Sequence, residues 1–322
     1  MDRLSAHRVF FAVDVHGSTA VWRKWLAATI FHKVDTIMLC GDLTGKMVVP
    51  IMKQKDGTYI VRFFKSTWTL KTQEELEKMK MRIENSGNYP YMTTPEEVEY
   101  LKKNPEKVID EIMKGAILER LRKWLDMAVE KIDTKAKQLI VMPGNDDIFE
   151  VDDVIKEYED RGVVYPLHKV VEIAGVETIS FDHVNPTPWD TPRELEEGEM
   201  KKRIDGLVSM LKDPGQSIFN FHCPPYGTRL DLAPKLDKNL KPVTIGGEVE
   251  FVHVGSKAIR EALIRYKPQI GLHGHIHESG GIEKIDGVPI VNPGSEYGEE
   301  MLRGILFEIE NKKVTKYWRV EG

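Results

Sequence analysis

The sequence of 322 residues contains little cysteine and no long hydrophobic run. Its two cysteines, Cys40 and Cys223, are too few for a disulfide framework or a cysteine-rich zinc site, as is typical of a reducing compartment. No stretch approaches the roughly 18 apolar residues that a membrane span needs. The N-terminus has no signal-peptide hydrophobic region or cleavage site, so we expect a cytoplasmic protein that does not bind membranes.

A clustered basic surface is also missing from the sequence. Lys and Arg together number 46 against 51 Asp and Glu, which gives a formal net charge of -5. Binding of duplex nucleic acid needs clustered cations, so this charge argues against a nucleic-acid partner. A small phosphorylated substrate is compatible with it. The hydrophobic fraction of 41% predicts a globular protein with a substantial core.

The first third of the chain begins with a β-α-β pattern. Short apolar runs at 8–13 and 36–40 predict buried strands, and the spacing of apolar residues over 19–32 predicts a helix between them. A polar residue follows each strand, Asp14 after the first and Asp42 after the second. In open α/β sheets, binding sites form at this edge, so both aspartates are candidate site residues.

A long segment delays the next strand of this pattern, which we predict at 138–142, before Gly144-Asn145. We interpret residues 46–135 as an insertion into a single domain that spans residues 1–322. Asp56-Gly57 between two apolar runs predicts a hairpin, and helices are expected to follow it. Three residues are predicted to cap those helices: Thr72 and Thr94 in capping boxes, and Asn104 before a proline. The insertion could cap the site or pair two copies of the chain as a homodimer.

The remainder of the chain alternates helices and strands. Helices are predicted near 151–159, 197–211 and 256–265, and strands at 170–173, 177–181, 217–221 and 269–273. The chain ends in short strands, predicted at 281–285, 289–291, 305–309 and 313–318.

Two pairs of candidate metal ligands share one spacing. Asp14 and His16 are separated by one residue at a predicted strand end, so their side chains leave the backbone on the same side. His275 and His277 repeat this arrangement after the strand at 269–273. Asp14 and His16 can therefore reach one metal ion together.

Three further residues complete a candidate two-metal site. A carboxylate such as Asp42 has two oxygens and can bridge ions roughly 3.5 to 4 Å apart, the spacing of two-metal hydrolytic sites. Asn145 offers an amide oxygen and His222 an imidazole. This mixture of ligands favours two divalent transition-metal ions, Mn, Fe, Zn or Ni, over Ca or Cu(I), without choosing among the four.

The patterns Asp-x-His, Gly-Asp, Gly-Asn, His and Gly-His-x-His occur in this order, beginning at residues 14, 41, 144, 222 and 274. In this order they resemble the calcineurin-like metallophosphoesterase superfamily, and the resemblance spans nearly the whole chain except the insertion. Four other segments resemble an archaeal and bacterial branch of small phosphoesterases: 185–192, 222–228, 253–256 and 292–295.

This resemblance implies a four-layer α/β/β/α sandwich that hydrolyses phosphate esters, as a phosphatase or a phosphodiesterase, by means of a metal-bridging hydroxide. By analogy, the first metal would be held by Asp14, His16, Asp42 and His277. The second would be held by Asp42, Asn145, His222 and His275.

One position departs from the family pattern. Where the family usually has a histidine after Gly-Asn, this chain has Asp146. Asp146 could be a general acid with a raised pKa or a bystander, and we favour the bystander. His183, just after the strand at 177–181, is the alternative catalytic acid by chain position. An equally good interpretation is a loop imidazole hydrogen-bonded to backbone.

Other functions compatible with the same fold are a catalytically silent scaffold that uses the insertion to bind protein, and a nuclease or cyclic-nucleotide phosphodiesterase. Scaffolds tend to lose metal ligands, whereas every ligand position is filled here. The loop cations Arg193, Arg229 and Lys46 could contact phosphate, although most loop cations are simply solvated.

Overall fold

A computed structural model describes residues 6–322 and has a mixed α/β fold. The helices are α1 (Thr19–Phe31), α2 (Gln73–Asn85), α3 (Pro95–Lys103), α4 (Pro105–Lys107), α5 (Lys114–Lys131), α6 (Glu150–Lys156), α7 (Glu197–Val208) and α8 (Lys257–Tyr266). A π-helical turn, Val108–Met113, joins α4 to α5. Across the described range, 6–322, no helix has both the length and the hydrophobicity needed to cross a membrane.

The strands vary in length from two residues to nine. They are β1 (His7–Ala12), β2 (Thr36–Cys40), β3 (Val48–Lys53), β4 (Tyr59–Phe63), β5 (Ser66–Leu70), β6 (Tyr89–Thr93), β7 (Gln138–Met142), β8 (Val163–Val164), β9 (Val171–Ile173), β10 (Val176–Phe181), β11 (Ile218–Phe221), β12 (Leu232–Pro234), β13 (Thr244–Ile245), β14 (Glu248–Val249), β15 (Phe251–His253), β16 (Ile270–Leu272), β17 (Gly281–Ile285), β18 (Val288–Asn292), β19 (Arg303–Glu310) and β20 (Lys313–Glu321).

The first six-stranded sheet has the order β20-β19-β1-β2-β7-β8. Strands β1, β2, β7 and β8 are parallel, and β19 and β20 extend the sheet antiparallel. Parallel strands are usually covered on both faces, which explains why β2 is fully buried along its length. The strands predicted at 8–13, 36–40 and 138–142 are confirmed.

The second six-stranded sheet has the order β17-β18-β16-β11-β10-β9. Its four central strands, β18, β16, β11 and β10, are parallel, and each edge strand pairs antiparallel. The predicted strands at 177–181, 217–221 and 269–273 are confirmed as members of this sheet.

One hydrophobic core joins the two sheets. It contains Phe11 of the first sheet and Ile270 of the second, together with side chains of α1, α5 and α6. Trp22 of α1 stacks on Trp124 of α5 with ring centroids 4.7 Å apart. A second core packs α7 and α8 against β10 and β11. Each buried large apolar side chain in these cores contributes roughly 1.5–3 kcal/mol.

The inserted segment forms a smaller sheet of order β5-β4-β3-β6. The predicted hairpin is confirmed as β3 and β4, which pair antiparallel around Asp56-Gly57. Strand β6 pairs parallel to β3, and neither β5 nor β6 was predicted. Helix α2 covers this sheet through a small core of its own, whereas α5 packs into the main core.

The three predicted helix caps of the insertion have different outcomes. Thr72 forms the predicted capping box with Glu75. The Thr94 hydroxyl caps α3, but the carboxylate of Glu97 accepts hydrogen bonds from Thr93 and a tyrosine hydroxyl instead of from the cap. Asn104 is confirmed as the N-cap residue of α4 before Pro105, but its side-chain amide donates to the Tyr100 carbonyl of α3 and makes no capping hydrogen bond to α4.

Candidate metal centre

The candidate ligands follow the carboxyl ends of parallel strands from both large sheets. Asp14 and His16 follow β1, Asp42 follows β2, and Asn145 follows β7 in the first sheet. In the second sheet, His222 follows β11, while His275 and His277 follow β16. The structure brings these seven residues together where the ends of the two sheets meet, although they lie up to 263 positions apart in sequence.

The first group of ligands consists of Asp14, His16, Asp42 and His277, whose ligand atoms all lie within 4.8 Å of one another. The Nε2 atoms of His16 and His277 are 3.0 Å apart, and His16 Nε2 is 3.5 Å from Asp42 Oδ2. Two ligands of one transition-metal ion, each at about 2.0–2.1 Å, are separated by roughly 3.0–3.4 Å. The first group therefore has the spacing of a metal site.

The second group shares Asp42 with the first and adds His222 and His275. His222 Nε2 is 3.5 Å from Asp42 Oδ1 and 3.0 Å from Asn145 Oδ1. The amide nitrogen of Asn145 donates to the Thr191 hydroxyl, which fixes the amide orientation and leaves its oxygen towards His222. The two oxygens of Asp42 thus face different groups of ligands.

Buried polar atoms in these groups lack partners. Asp14 Oδ1, His16 Nδ1 and His222 Nδ1 are buried, and none makes a hydrogen bond to any residue among 6–322. A buried carboxylate oxygen without a partner is costly, and a bound cation would compensate it. The donor set, its spacing and the unpaired oxygen of Asp14 all fit divalent metal ions.

Burial also sets the protonation of the ligands. Burial raises the pKa of Asp14 to about 8, and His222 only partly opposes this shift. Burial lowers the pKa of His275 to about 3 and that of His16 well below its usual range. Both imidazoles are therefore neutral near pH 7, which is the form that binds metal.

The acidic neighbours of His222 also shift its pKa. Burial lowers its pKa, but Asp42 and Asp14 outweigh this effect and raise the pKa to about 9. The two carboxylates thus favour a cation between them. A metal ion bound by His222 would have to displace a proton.

Three ligands have strained backbones. Asp14, His16 and His275 have φ angles of 53°, 39° and 66°, in the left-handed region that residues with a Cβ avoid. Strain of this kind persists only where the surroundings enforce it, and it is common at functional sites. Here the backbone N–H of His275 donates to Asp14 Oδ2 at 2.8 Å, which ties two strained loops together.

Glycines allow the ligand loops to approach closely. A Cβ on Gly144 would lie 2.2 Å from Asp42 Oδ1, and a Cβ on Gly41 would lie 2.3 Å from His222 Nδ1. Both distances are shorter than any real contact, so only glycine fits at these positions. The Gly-Asp and Gly-Asn motifs are thereby explained by packing as well as by ligand chemistry.

Asp147 supports the site and was not predicted from the sequence. Its buried carboxylate accepts hydrogen bonds from the backbone N–H groups of Leu43, Thr44 and Gly144, each at 2.9 Å. It therefore fastens the loop after β2 to the loop after β7. The only hint of Asp147 in the sequence is its position directly after Gly144-Asn145-Asp146.

A second supporting segment lies at 292–297. Asn292 donates to the Gly274 and Ile276 carbonyls, and the Ser295 hydroxyl donates to the Asp14 carbonyl at 2.6 Å. The ring of Tyr297 packs 4.7 Å from that of His16. Sequence reasoning noted residues 292–295 only as a point of resemblance and missed Tyr297.

Asp146 lies beside the first group. Its backbone N–H donates to Asp42 Oδ1 at 2.9 Å, and its carboxylate lies 3.8 Å from His16 Nδ1 and pairs with Lys46. Burial and repulsion by Asp42 raise the pKa of Asp146 to about 6, while Lys46 opposes the shift. Whether it is an acid or a bystander stays a prediction.

His183 has a different environment. Its Nδ1 lies 2.7 Å from Asp182 Oδ1, so its partner is a carboxylate, whereas the second interpretation expected a backbone group. The imidazole borders a cavity of about 270 Å³ that none of the seven candidate ligands lines. Among residues 6–322, His183 makes no hydrogen bond or ion pair with those ligands, and its catalytic role stays a prediction.

The three loop cations also differ from one another. Arg193 is buried and pairs with Asp182 and Asp152, so neither the phosphate-contact nor the solvated interpretation was right. Arg229 is exposed. Lys46 stands beside the first group of ligands, paired with Asp146.

Comparison with known proteins supports the fold. No protein-family model matches the sequence. An uncharacterised protein of Methanocaldococcus jannaschii, MJ1162, is 33% identical over 162 residues, which are 48% of this chain and 63% of that protein. The aligned part is less than two thirds of that relative.

Solved structures align over almost the whole chain. TT1561 of Thermus thermophilus is 13% identical with a TM-score of 0.52, and another crystal structure is 16% identical with a TM-score of 0.54. Both alignments cover 98% of this chain and 99% of the other. At these identities, the similarity shows a shared α/β fold alone.

Proposed function

We propose that this chain hydrolyses phosphate esters with two divalent metal ions as cofactors. The observation that carries the proposal is the position of Asp42, whose Oδ2 lies 3.5 Å from His16 of one group while Oδ1 lies 3.5 Å from His222 of the other. A carboxylate in this position can bridge two ions, which is the arrangement used in two-metal hydrolysis.

The finer description of the fold that we propose is the four-layer α/β/β/α sandwich of the calcineurin-like metallophosphoesterases. It is supported by a core shared between two six-stranded sheets, with α1, α5 and α6 in that core and α7 and α8 in the second. The order of the five ligand motifs along the chain supports the same family.

The chain's own residues would act mainly by holding the metal ions and orienting their ligands. Asp14, His16, Asp42 and His277 would hold one ion, and Asp42, Asn145, His222 and His275 the other. Two bound ions would supply a hydroxide nucleophile at neutral pH and offset the charge of the phosphoryl oxygens. Asp147 and Thr191 would keep the ligand loops in place, as outer partners of metal ligands commonly do.

We also propose that the insertion, residues 46–135, supports the site from one side. Arg120 donates to the Gly17 carbonyl directly after His16, and the Ser18 hydroxyl donates to the Asn85 carbonyl. These contacts favour a role beside the site over a role confined to subunit pairing. A catalytically silent scaffold is disfavoured, because all seven ligand positions keep a side chain that can bind metal.

The test is hydrolysis of paired chromogenic mono- and diesters by metal-stripped protein, with Mn, Fe, Zn, Ni and Mg restored separately. We expect activity only after a transition metal is restored. Asp42→Asn should lower the rate by more than about 100-fold, because it removes a bridging oxygen. Asp153→Asn, at a carboxylate that is 82% exposed, is the matched control and should match the parent. Metal-independent hydrolysis, or full activity in Asp42→Asn, would contradict the proposal.

A further inference from the structure

Lys46 is a cation between the candidate metal centre and solvent. Its ammonium pairs with the carboxylate of Asp146, whose backbone N–H donates to Asp42 Oδ1 at 2.9 Å. The side chain of Lys46 is 60% exposed, whereas that of Asp146 is 11% exposed. Asp146 therefore holds the ammonium beside the first group of ligands, while most of the Lys46 side chain faces solvent.

The ammonium can bind a second anion while it keeps this anchor. A lysine ammonium has three N–H donors, and Asp146 engages it from one side. Within residues 6–322, Lys46 has no ion pair other than that with Asp146. Hydrogen bonds between an ammonium and a phosphoryl oxygen are charge-assisted and stronger than neutral ones.

Tyr297 packs against two histidines of the first group of ligands. Its ring packs 4.7 Å from the ring of His16 and 5.8 Å from that of His277.

We propose that Lys46 binds a non-bridging oxygen of the substrate's phosphoryl group, and that Asp146 is a positioning residue that holds the Lys46 ammonium beside the metal centre. The identity of this anion as a substrate phosphoryl group rests on the proposed function. Phosphomonoesters, which carry up to two negative charges, gain more from this cation than diesters, which carry one. The inferred substrate class is therefore the phosphomonoester.

The experiment measures binding of inorganic phosphate to the manganese-loaded full-length protein by calorimetry, with bound metal determined for each variant. Lys46→Met should weaken phosphate binding about tenfold without changing metal content, since it removes one charge-assisted contact. Lys46→Arg should stay within about threefold of the parent, because it keeps the charge. Lys55→Met, at an exposed turn of the insertion, is the control and should match the parent.

Asp146→Ala separates positioning from simple repulsion. If Asp146 positions Lys46, its removal weakens phosphate binding, although a negative charge has left the site. If Asp146 only repels anions, phosphate binds Asp146→Ala more tightly than the parent. Tighter binding would overturn the positioning role.

Three other results would overturn the inference: no phosphate binding by the parent, unchanged binding in Lys46→Met, or loss of metal together with phosphate in that variant. Measuring ester hydrolysis distinguishes failure of the Lys46 anion site from failure of the proposed function. A parent that cleaves no ester yet binds phosphate through Lys46 would refute the function and keep the anion site. An active parent whose phosphate affinity is unchanged by Lys46→Met would keep the proposed function and refute the anion site. In an active parent, Lys46→Met should lower kcat/KM more for the monoester than for the diester.

Discussion

At the candidate metal centre, the backbone passes so close to a ligand that only glycine fits. Gly144 passes so near to Asp42 that a methyl group would overlap both the Asp42 carboxylate and its backbone nitrogen. Asp42 is the carboxylate common to both groups of ligands, so a displacement there changes both candidate metal sites at once. The geometry of Asp42 therefore depends on its glycine neighbour.

Gly144→Ala should weaken metal binding by about 10-fold to 100-fold, the range seen when the support of a metal ligand is disturbed. Calorimetric titration of stripped protein with Mn measures this effect. Gly115→Ala is the control, because a Cβ at Gly115 on α5 meets open space. Unchanged metal affinity in Gly144→Ala would show that Asp42 is not held as described.

The buried network of Asp182, His183 and Arg193 predicts a dependence of stability on pH. Burial disfavours the Asp182 carboxylate, but His183 and Arg193 outweigh burial and lower its pKa from 3.8 to about 2. A lowered folded-state pKa stabilises the fold above the ordinary value, and this contribution is lost as pH falls towards the folded value. The full contribution is about 2 kcal/mol.

Urea unfolding of the parent and Asp182→Asn tests this contribution. Asp182→Asn should be less stable near neutral pH, and its deficit should shrink by about 1 kcal/mol between about pH 6 and about pH 3. A deficit that is the same at every pH would contradict the lowered pKa of Asp182.

The ligands could be predicted from sequence because each lies at a strand end in a short motif. The residues that hold these ligands in place could not be predicted in the same way. Asp147 binds backbone groups about 100 residues away, and Arg193 reaches Asp152 on α6 and Asp182 after β10. Such partners share no local spacing with the residues they hold, so only the folded chain brings them together.

At the scale of elements, α5 connects the insertion to the loop that carries the candidate ligand His16. Arg120 of α5 is buried, donates to the carbonyls of Gly17 and Asn88, and lies over the ring of Tyr89. Gly17 follows the ligand His16 directly. Helix α5 thus contacts both the loop after His16 and the beginning of β6 in the small sheet.

Arg120→Ala should lower the free energy of unfolding by about 3 kcal/mol, because two carbonyls lose a charged donor in a buried position. Arg122→Ala on the same helix is the matched control. Arg122 pairs with Glu157 at the surface, and its loss should cost less than about 1 kcal/mol. Equal losses in urea unfolding would mean that Arg120 is no more important than a surface cation.

Elements with a strong apolar pattern could be predicted, and elements without one could not. Strand β2 is a continuous buried run and was predicted to the residue. Strand β5 is exposed over four of its five residues, so it has no alternation to detect. Strand β6 contains Pro90, which argues against a strand, yet Pro90 pairs with Val49 at the edge of the small sheet.

At the scale of the whole molecule, the candidate site exists only where two sheets meet. Asp14, Asp42 and Asp147 are buried together in this junction, and burial or mutual repulsion raises the pKa of Asp14 and Asp147. Bound cations would stabilise the folded chain, because the unfolded chain cannot assemble ligands from both sheets. Metal binding and folding would thereby be linked.

Removal of metal should therefore destabilise the protein. At a free metal concentration of about 100 times Kd, each site adds about 2.7 kcal/mol to the free energy of unfolding. Urea unfolding with and without Mn measures this difference, which should shrink in Asp42→Asn. Identical unfolding midpoints for loaded and stripped parent would contradict a metal centre that spans both sheets.

The two-sheet assembly was implied by a resemblance and not by local patterns. Periodicity predicts single strands, whereas the meeting of β1 and β16 depends on core residues such as Phe11 and Ile270 packing between sheets. The role of the insertion was left open for the same reason, since contacts such as that of Arg120 with Gly17 join residues 103 positions apart.

The central claim is that two metal ions act together at Asp42. The most direct measurement is the rate of ester hydrolysis as a function of metal bound per chain, obtained by adding Mn stepwise to stripped protein under tight-binding conditions. The account predicts two bound equivalents and a rate that rises mainly as the second one fills. Full activity at a single equivalent, or a rate independent of bound metal, would contradict it.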